Sequence, residues 1–194
     1  MTKSILPPIG WDRSGLPGWA YFSQELFDLE CEKIFKTHWQ FVCHVNEVNQ
    51  NGAYVTFDIS GERAVVIRGA DEQVRAFHNL CRHRGSRVVP DARGVCNKAM
   101  ICPYHGWAFK HDGTLAGVPA PRGYAKSADL TDPAYALKAA PRVDSYRGFI
   151  FASMAEDGPS LPDFLGDIAA AFDNVADRAP DGEIEFAGGV VRQE

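Results

Sequence analysis

What this 194-residue chain lacks narrows it before anything it contains. No stretch approaches the ~18–20 consecutive apolar residues that a membrane span needs. The opening Met1-Thr2-Lys3-Ser4-Ile5-Leu6-Pro7-Pro8 has none of the apolar core of a secretory leader. Both absences point to a cytoplasmic protein with no membrane role. Surplus positive charge is missing too: 20 Lys and Arg against 25 Asp and Glu give a net charge of −5. That balance argues against nonspecific nucleic-acid binding. Cysteine is sparse at five, an odd number that suits free thiols and metal ligands better than a disulfide framework. Histidine is absent from the whole stretch after His111, so that stretch has no imidazole pair for a metal. What remains is ordinary: 45% hydrophobic and 23% charged residues, the composition of a globular chain able to bury a sizeable core.

Against that background, residues 79–107 stand out. The stretch carries Cys81-Arg82-His83-Arg84-Gly85 and then Cys102-Pro103-Tyr104-His105-Gly106-Trp107. One residue separates Cys81 from His83, eighteen separate His83 from Cys102, and two separate Cys102 from His105. Each half brings one thiolate and one imidazole within reach of a single tight turn. Four such donors suit a tetrahedral zinc or an iron–sulfur cluster. Zinc sites usually take a Cys pair from one segment and a His pair from the other. Here each segment is mixed, which suits two inequivalent irons, with both Cys on one and both His on the other. Gly85 lies two residues past His83 and Gly106 directly follows His105, positions where the loop needs φ > 0 or a close approach of backbone to sulfide. Pro103 stiffens the second loop.

These residues resemble the cluster motif of Rieske proteins, in the form found in the large α subunits of Rieske non-haem-iron oxygenases. The likeness extends to residues 21–39 and to Tyr146-Arg147-Gly148-Phe149-Ile150-Phe151. It implies a [2Fe–2S] cluster bound by Cys81, His83, Cys102 and His105. Respiratory Rieske proteins add a Cys to each loop and join the two as a disulfide. The corresponding positions here are Ser86 and Tyr104, so that bridge is excluded. Rieske centres span about −150 to +300 mV, and the low end is expected. The resemblance also implies electron flow from a reductase or ferredoxin, through this domain, to a mononuclear Fe(II) bound by two His and a carboxylate. That second iron belongs to a domain not encoded in these residues. On this reading the chain alone is inactive as an oxygenase, and a full-length protein is a homo-oligomer or an α/β hetero-oligomer. Two other readings stay open: a zinc-stabilised interaction module with no redox role, and a stand-alone Rieske ferredoxin.

The fold expected is mainly β: a Rieske-type antiparallel sandwich with two cluster-binding hairpin loops, an N-terminal helix and a short α+β C-terminal extension. Residues 7–19, rich in Pro and Gly with Trp11 and Trp19, read as an irregular arm. Residues 23–38 have helical spacing, with Phe27, Cys31, Ile34, Phe35 and His38 on one face and Ser23 as N-cap. The period then changes to two, predicting strands at 39–45, 53–59, 63–68 and 74–80 as an antiparallel meander that runs into Cys81. Short strands follow at 98–101, 107–110 and 115–118, the last two joined by an Asp112-Gly113 turn. Residues 119–140 read as a surface loop, 142–145 and 148–152 as strands, 162–175 as helix, and 183–191 as a strand. The domain division expected is an arm and helix at 1–38, the cluster domain at 39–154, and the start of a further domain at 155–194.

Of the remaining residues, Cys31 and Cys43 read as buried small hydrophobes, and Cys96 fits a ligand role poorly. His38 and His78 suit packing or hydrogen bonding better than ligation, and Tyr104 and Trp107 suit shielding of the site. Arg82, Arg84, Arg87, Arg93 and Lys98, against Asp91 alone, form a basic run that would steer an acidic redox partner or simply solvate the loop.

Overall fold

A computed structural model describes residues 15–124, 129–179 and 184. The strand expected at 183–191 and most of the N-terminal arm lie outside the described residues. Ten strands and three helices are described: α1 (Gln24–Glu30), β1 (Gln40–His44), β2 (Ala53–Ile59), β3 (Glu62–Arg68), β4 (Val74–His78), β5 (Arg93–Val95), β6 (Met100–Ile101), β7 (Ala108–Phe109), β8 (Leu115–Gly117), β9 (Arg142–Tyr146), β10 (Phe149–Ser153), α2 (Leu161–Leu165) and α3 (Ala169–Ala176).

The central layer is the antiparallel sheet β4-β3-β2-β5. Its middle strand β3 is buried along Ala64-Val65-Val66-Ile67, so both faces are covered and the apolar run is continuous rather than alternating. Period-two geometry splits that run between two cores. Val65 and Ile67 join Tyr54 and Phe77 against Val88, Val89, Met100, Trp107 and Phe109. Val66 joins Val55 and Ala76 on the opposite face, against Cys43, Val48, Ile150 and Ala152. On the first side lies the small sheet β6-β7-β8, and on the second the sheet β1-β10-β9. A third core beyond that sheet gathers Trp39, Phe151, Leu161 and Leu165 under α2. The antiparallel sandwich expected from sequence is therefore present, with α2 and α3 packed on its outer side.

Four expectations need correction. The strand expected at 39–45 is not part of the meander: β1 pairs with β10, Phe41 opposite Phe151 and His44 opposite Phe149. Period-two hydrophobicity marks a strand but not its partner, and the partner here lies over a hundred residues away. The helix expected at 23–38 is α-helical only to Glu30 and continues as a π turn, Cys31–Phe35. Ser23 does cap it, its hydroxyl accepting from the Leu26 N–H at 3.2 Å. Its apolar face is not a core face: Phe27 and Ile34 are exposed, His38 lies at the surface, and Cys31 is only half-buried. The helix expected at 162–175 breaks at Gly166, whose backbone leaves the helical region, and resumes as α3. Residues 119–140 are more than a surface wrap, since Ala139 bridges Phe77 of β4 and Tyr124 and Tyr135 pack on the first core.

Residues 155–160 are held to the body by named contacts. The Trp39 indole N–H donates to the Pro159 carbonyl at 3.0 Å, and the Arg142 guanidinium donates to the carbonyls of Ala155 and Pro159, both at 2.9 Å. The same guanidinium sits 4.8 Å over the Trp39 ring.

Candidate metal centre

Two loops leave the edge of the first core, one from the end of β4 and one between β6 and β7. Their backbones repeat the same bonding pattern. In the first, Cys81 N–H donates to the Ser86 carbonyl at 2.8 Å and Gly85 N–H to the Cys81 carbonyl at 2.8 Å. In the second, Cys102 N–H donates to the Trp107 carbonyl at 2.9 Å and Gly106 N–H to the Cys102 carbonyl at 3.0 Å. Gly85 and Gly106 both take φ +69°, the left-handed region that glycine enters at little cost. The two motifs are built as matched turns, each placing its Cys at the base and its His at the crest.

The matched turns sort their side chains by chemistry. The Cys81 and Cys102 side chains lie close enough to interact, and both are buried in the first core. The His83 and His105 rings meet edge-on with centroids 4.7 Å apart, and both are half-buried. Burial pushes the Cys81 thiol above its ordinary range, although the backbone N–H groups of His83 and Arg84 point at its sulfur and favour the thiolate. An adjacent metal cation would resolve that conflict, because a coordinating thiol is deprotonated. His83 Nδ1 is buried with no hydrogen-bond partner among the described residues. Such orphaned nitrogens are rare in native interiors, and a coordinate bond is one way to satisfy them. A thiol pair, an imidazole pair and an unpaired inward nitrogen fit a two-iron cluster. Among the described residues, no three His, Cys, Asp or Glu side chains gather closely enough to hold a single ion.

The two imidazoles differ in what covers them. Trp107 stacks on His83 with centroids 5.1 Å apart and planes 7° from parallel. It is 3% exposed and boxed by Phe109, Tyr124 and Tyr135. The ring facing His105 is Tyr104, at 3.7 Å and 34°, and it is 59% exposed. Loss of hydration, then the charges of His83 and Arg84, hold His105 below the usual imidazole value. The shielding expected of both aromatics therefore falls mainly to Trp107.

Asn79, two residues before Cys81, has a part that its sequence position did not suggest. It is 1% exposed; its side-chain carbonyl accepts from Val88 N–H at 2.9 Å and Val89 N–H at 3.0 Å, and its amide donates to the Val89 carbonyl at 2.7 Å. It thus closes the first loop from inside. A polar residue at the end of an apolar strand, just ahead of a Gly-containing loop, was the only signal for it. Arg82 ties the same loop to residues 129–140, donating to the Ala134 carbonyl at 3.1 Å and 3.2 Å.

The basic run is less of a collar than its spacing suggested. Arg87 pairs with Asp58 at 3.2 Å and Arg93 with Glu47 at 3.2 Å. Lys98 lines a cleft of about 360 Å³ with Arg75, Lys110 and His111, at the end of β7 away from the Cys102 loop. Arg84 remains beside His105, and its guanidinium makes no hydrogen bond or ion pair among the described residues. Of the other cysteines, Cys96 packs on the first core below Gly52. Burial, then Glu47, pushes the Cys43 thiol up to about 12, leaving an inert hydrophobe. His78 faces Glu62 Oε2 at 3.7 Å, away from ligation.

Comparison with known proteins agrees with this geometry. Residues 38–141 match the family described as Rieske [2Fe-2S] domain. The α subunit of N,N-dimethyl phenylurea N-demethylase from Sphingobium sp. (strain YBL2) is 36% identical over 173 residues, 89% of this chain and 37% of that protein. The large subunit of anthranilate 1,2-dioxygenase from Acinetobacter baylyi is 38% identical over 166 residues, 85% of this chain and 34% of that protein. Among solved structures, a naphthalene 1,2-dioxygenase variant bound to phenanthrene superposes with a TM-score of 0.78 at 34% identity, covering 87% of this chain and 37% of that one. The chain spans little more than a third of the length of these relatives.

Proposed function

The chain belongs to the Rieske [2Fe–2S] domain family, in the branch carried by the α subunits of aromatic-ring-hydroxylating oxygenases, and from that premise we propose how its residues serve electron transfer. Cys81, His83, Cys102 and His105 hold the cluster, which supplies reversible one-electron storage when bound. The two cysteines keep their sulfurs in the first core, away from water and oxidants. The two imidazoles form the only part of the ligand set near solvent and give the shortest path for an electron across the surface. Arg84 places an unpaired positive charge beside His105, where it favours approach of an acidic donor such as a ferredoxin or reductase. The electron's destination is a mononuclear iron outside the residues described, as in an oxygenase α subunit. The chain by itself reduces no oxygen productively and oxygenates no substrate.

The observation that carries this reading is the sorting of the four side chains, thiol against thiol and imidazole against imidazole, by two loops with one backbone design. Iron and acid-labile sulfide analysis of the purified protein tests it. Two irons and two sulfides per chain, with a reduced-state electron paramagnetic resonance signal, are expected. Stoichiometric zinc in a colourless protein overturns it in favour of a structural zinc module. Redox titration is expected to give a midpoint at the low end of the Rieske range, and a clearly positive value contradicts the oxygenase-type assignment. Oxygen-uptake measurements on the reduced chain, with aromatic acids as probes, are expected to show no substrate-dependent consumption.

A further inference from the structure

We propose that Trp107 is a positioning residue, whose indole fixes the ring plane of His83 and so makes the two imidazoles of the site unequal; this rests on the cluster reading above. A near-parallel stack at 5.1 Å and 7° leaves His83 little room to rotate about its ring bond. The indole cannot yield in turn, since Phe109, Tyr124 and Tyr135 surround it and it is 3% exposed. The box is anchored to the loop it serves. Tyr135 follows Ala134, whose carbonyl takes both hydrogen bonds from Arg82, and Arg82 precedes His83 in the chain. A closed path therefore runs from His83 through Trp107, Tyr135, Ala134 and Arg82 back to His83.

Among the described residues no buried ring stacks on His105. Apart from His83 its aromatic neighbour is Tyr104, adjacent in the chain and 59% exposed. The orientation of an imidazole plane governs how its nitrogen orbitals overlap those of a bound metal, and outer-shell groups commonly set it. The contact with His83 is made by the face of the indole rather than by its N–H, which is buried without a partner among the described residues. A flat ring lacking the N–H should then serve in its place.

Pulsed electron paramagnetic resonance of the reduced, cluster-loaded protein reads the ligating nitrogens separately. Trp107→Leu is expected to broaden the coupling of one histidine nitrogen into a distribution while the other stays sharp. Trp107→Phe is expected to restore the sharp signal. Loosening the box with Tyr135→Leu should broaden the same nitrogen, which keeps the test open should Trp107→Leu fail to fold. Tyr104→Leu should leave that nitrogen sharp. Unchanged couplings in Trp107→Leu, equal broadening of both nitrogens, or Trp107→Phe behaving like Trp107→Leu overturns the proposal. A sharp signal in Tyr135→Leu overturns it as well. If the unaltered protein contains no acid-labile sulfide and gives no signal, the cluster reading itself has failed, a result distinct from all of these.

Discussion

The two metal-centre loops are twins in backbone and strangers in support. Both close with the same pair of main-chain hydrogen bonds and the same left-handed glycine. The second loop springs from a strand pair, with Met100 opposite Phe109 and Ile101 opposite Ala108. The first springs from the end of β4 and has no strand to return on, so the Asn79 side chain supplies the missing hydrogen bonds. The grip on a bound group is thus a property of local loop design. How firmly each half is held is a property of whatever lies beneath it.

The largest test of the shared design is removal of a donor. Cys81→Ser is expected to abolish the cluster's visible absorption and to lower thermal stability, checked by spectrum and by a melting curve. Next, Asn79→Ala separates the loops. It strands two buried N–H groups and a carbonyl, and at roughly 1–3 kcal/mol per unsatisfied group, partly relieved by relaxation, the expected loss is ~3 kcal/mol. Amide exchange at Val88 and Val89 should accelerate while Met100 and Phe109 stay protected; uniform acceleration would erase the distinction drawn here.

Smaller differences lie in the glycines. Alanine at either position meets the left-handed strain, ~1 kcal/mol. At Gly106 an added Cβ would also lie 2.9 Å from Pro119 Cγ, whereas at Gly85 it would meet nothing within 4 Å. Gly106→Ala should therefore cost more than Gly85→Ala, by ~1 kcal/mol, in chemical denaturation. Arg84→Glu should leave stability within about 0.5 kcal/mol, as expected of an unpaired surface residue. It should slow reduction by an acidic ferredoxin and weaken the salt dependence of that rate. No change in either would show that the arginine only solvates the loop.

The smallest effect lies away from both loops, at the β3–β4 turn. There Arg75 bonds to both carboxylate oxygens of Asp71 and holds its carboxyl well below the usual range. A depressed folded-state pKa stabilises above the unfolded value, ~3.9, and the gain is lost as pH falls toward the folded value. Asp71→Asn should flatten the acid limb of the stability curve below about pH 4. Because the pair is exposed, the change should be slight and should leave the loop amides untouched.

Much of this was legible in residue order. β2 matches its expected bounds, and β3 and β4 differ from theirs by a residue or two, because a short run rich in Val, Ile, Phe and Ala is a local signal. Ser23 as a cap and the Gly85 and Gly106 turns were equally local. Less legible were features that depend on distant segments. The partner of β1 is β10, and nothing in residues 40–44 names it. The apolar face of residues 23–38 looked like a core face but stays exposed, since periodicity records amphipathicity and not what covers it. Gly166 broke a helix whose side-chain spacing ran straight through it.

The candidate donors can be named from sequence alone: a Cys and a His at turn spacing, twice, with a glycine after each, mark two short loops. Tertiary packing decided how those loops face one another, thiol to thiol, and which imidazole lies beneath a buried indole. The reason is range. A turn's conformation is set by hydrogen bonds among five or six neighbours, whereas the cover on His83 is the Trp107 indole of the other loop, held in place by Tyr124 and Tyr135 from a segment that bridges back to β4.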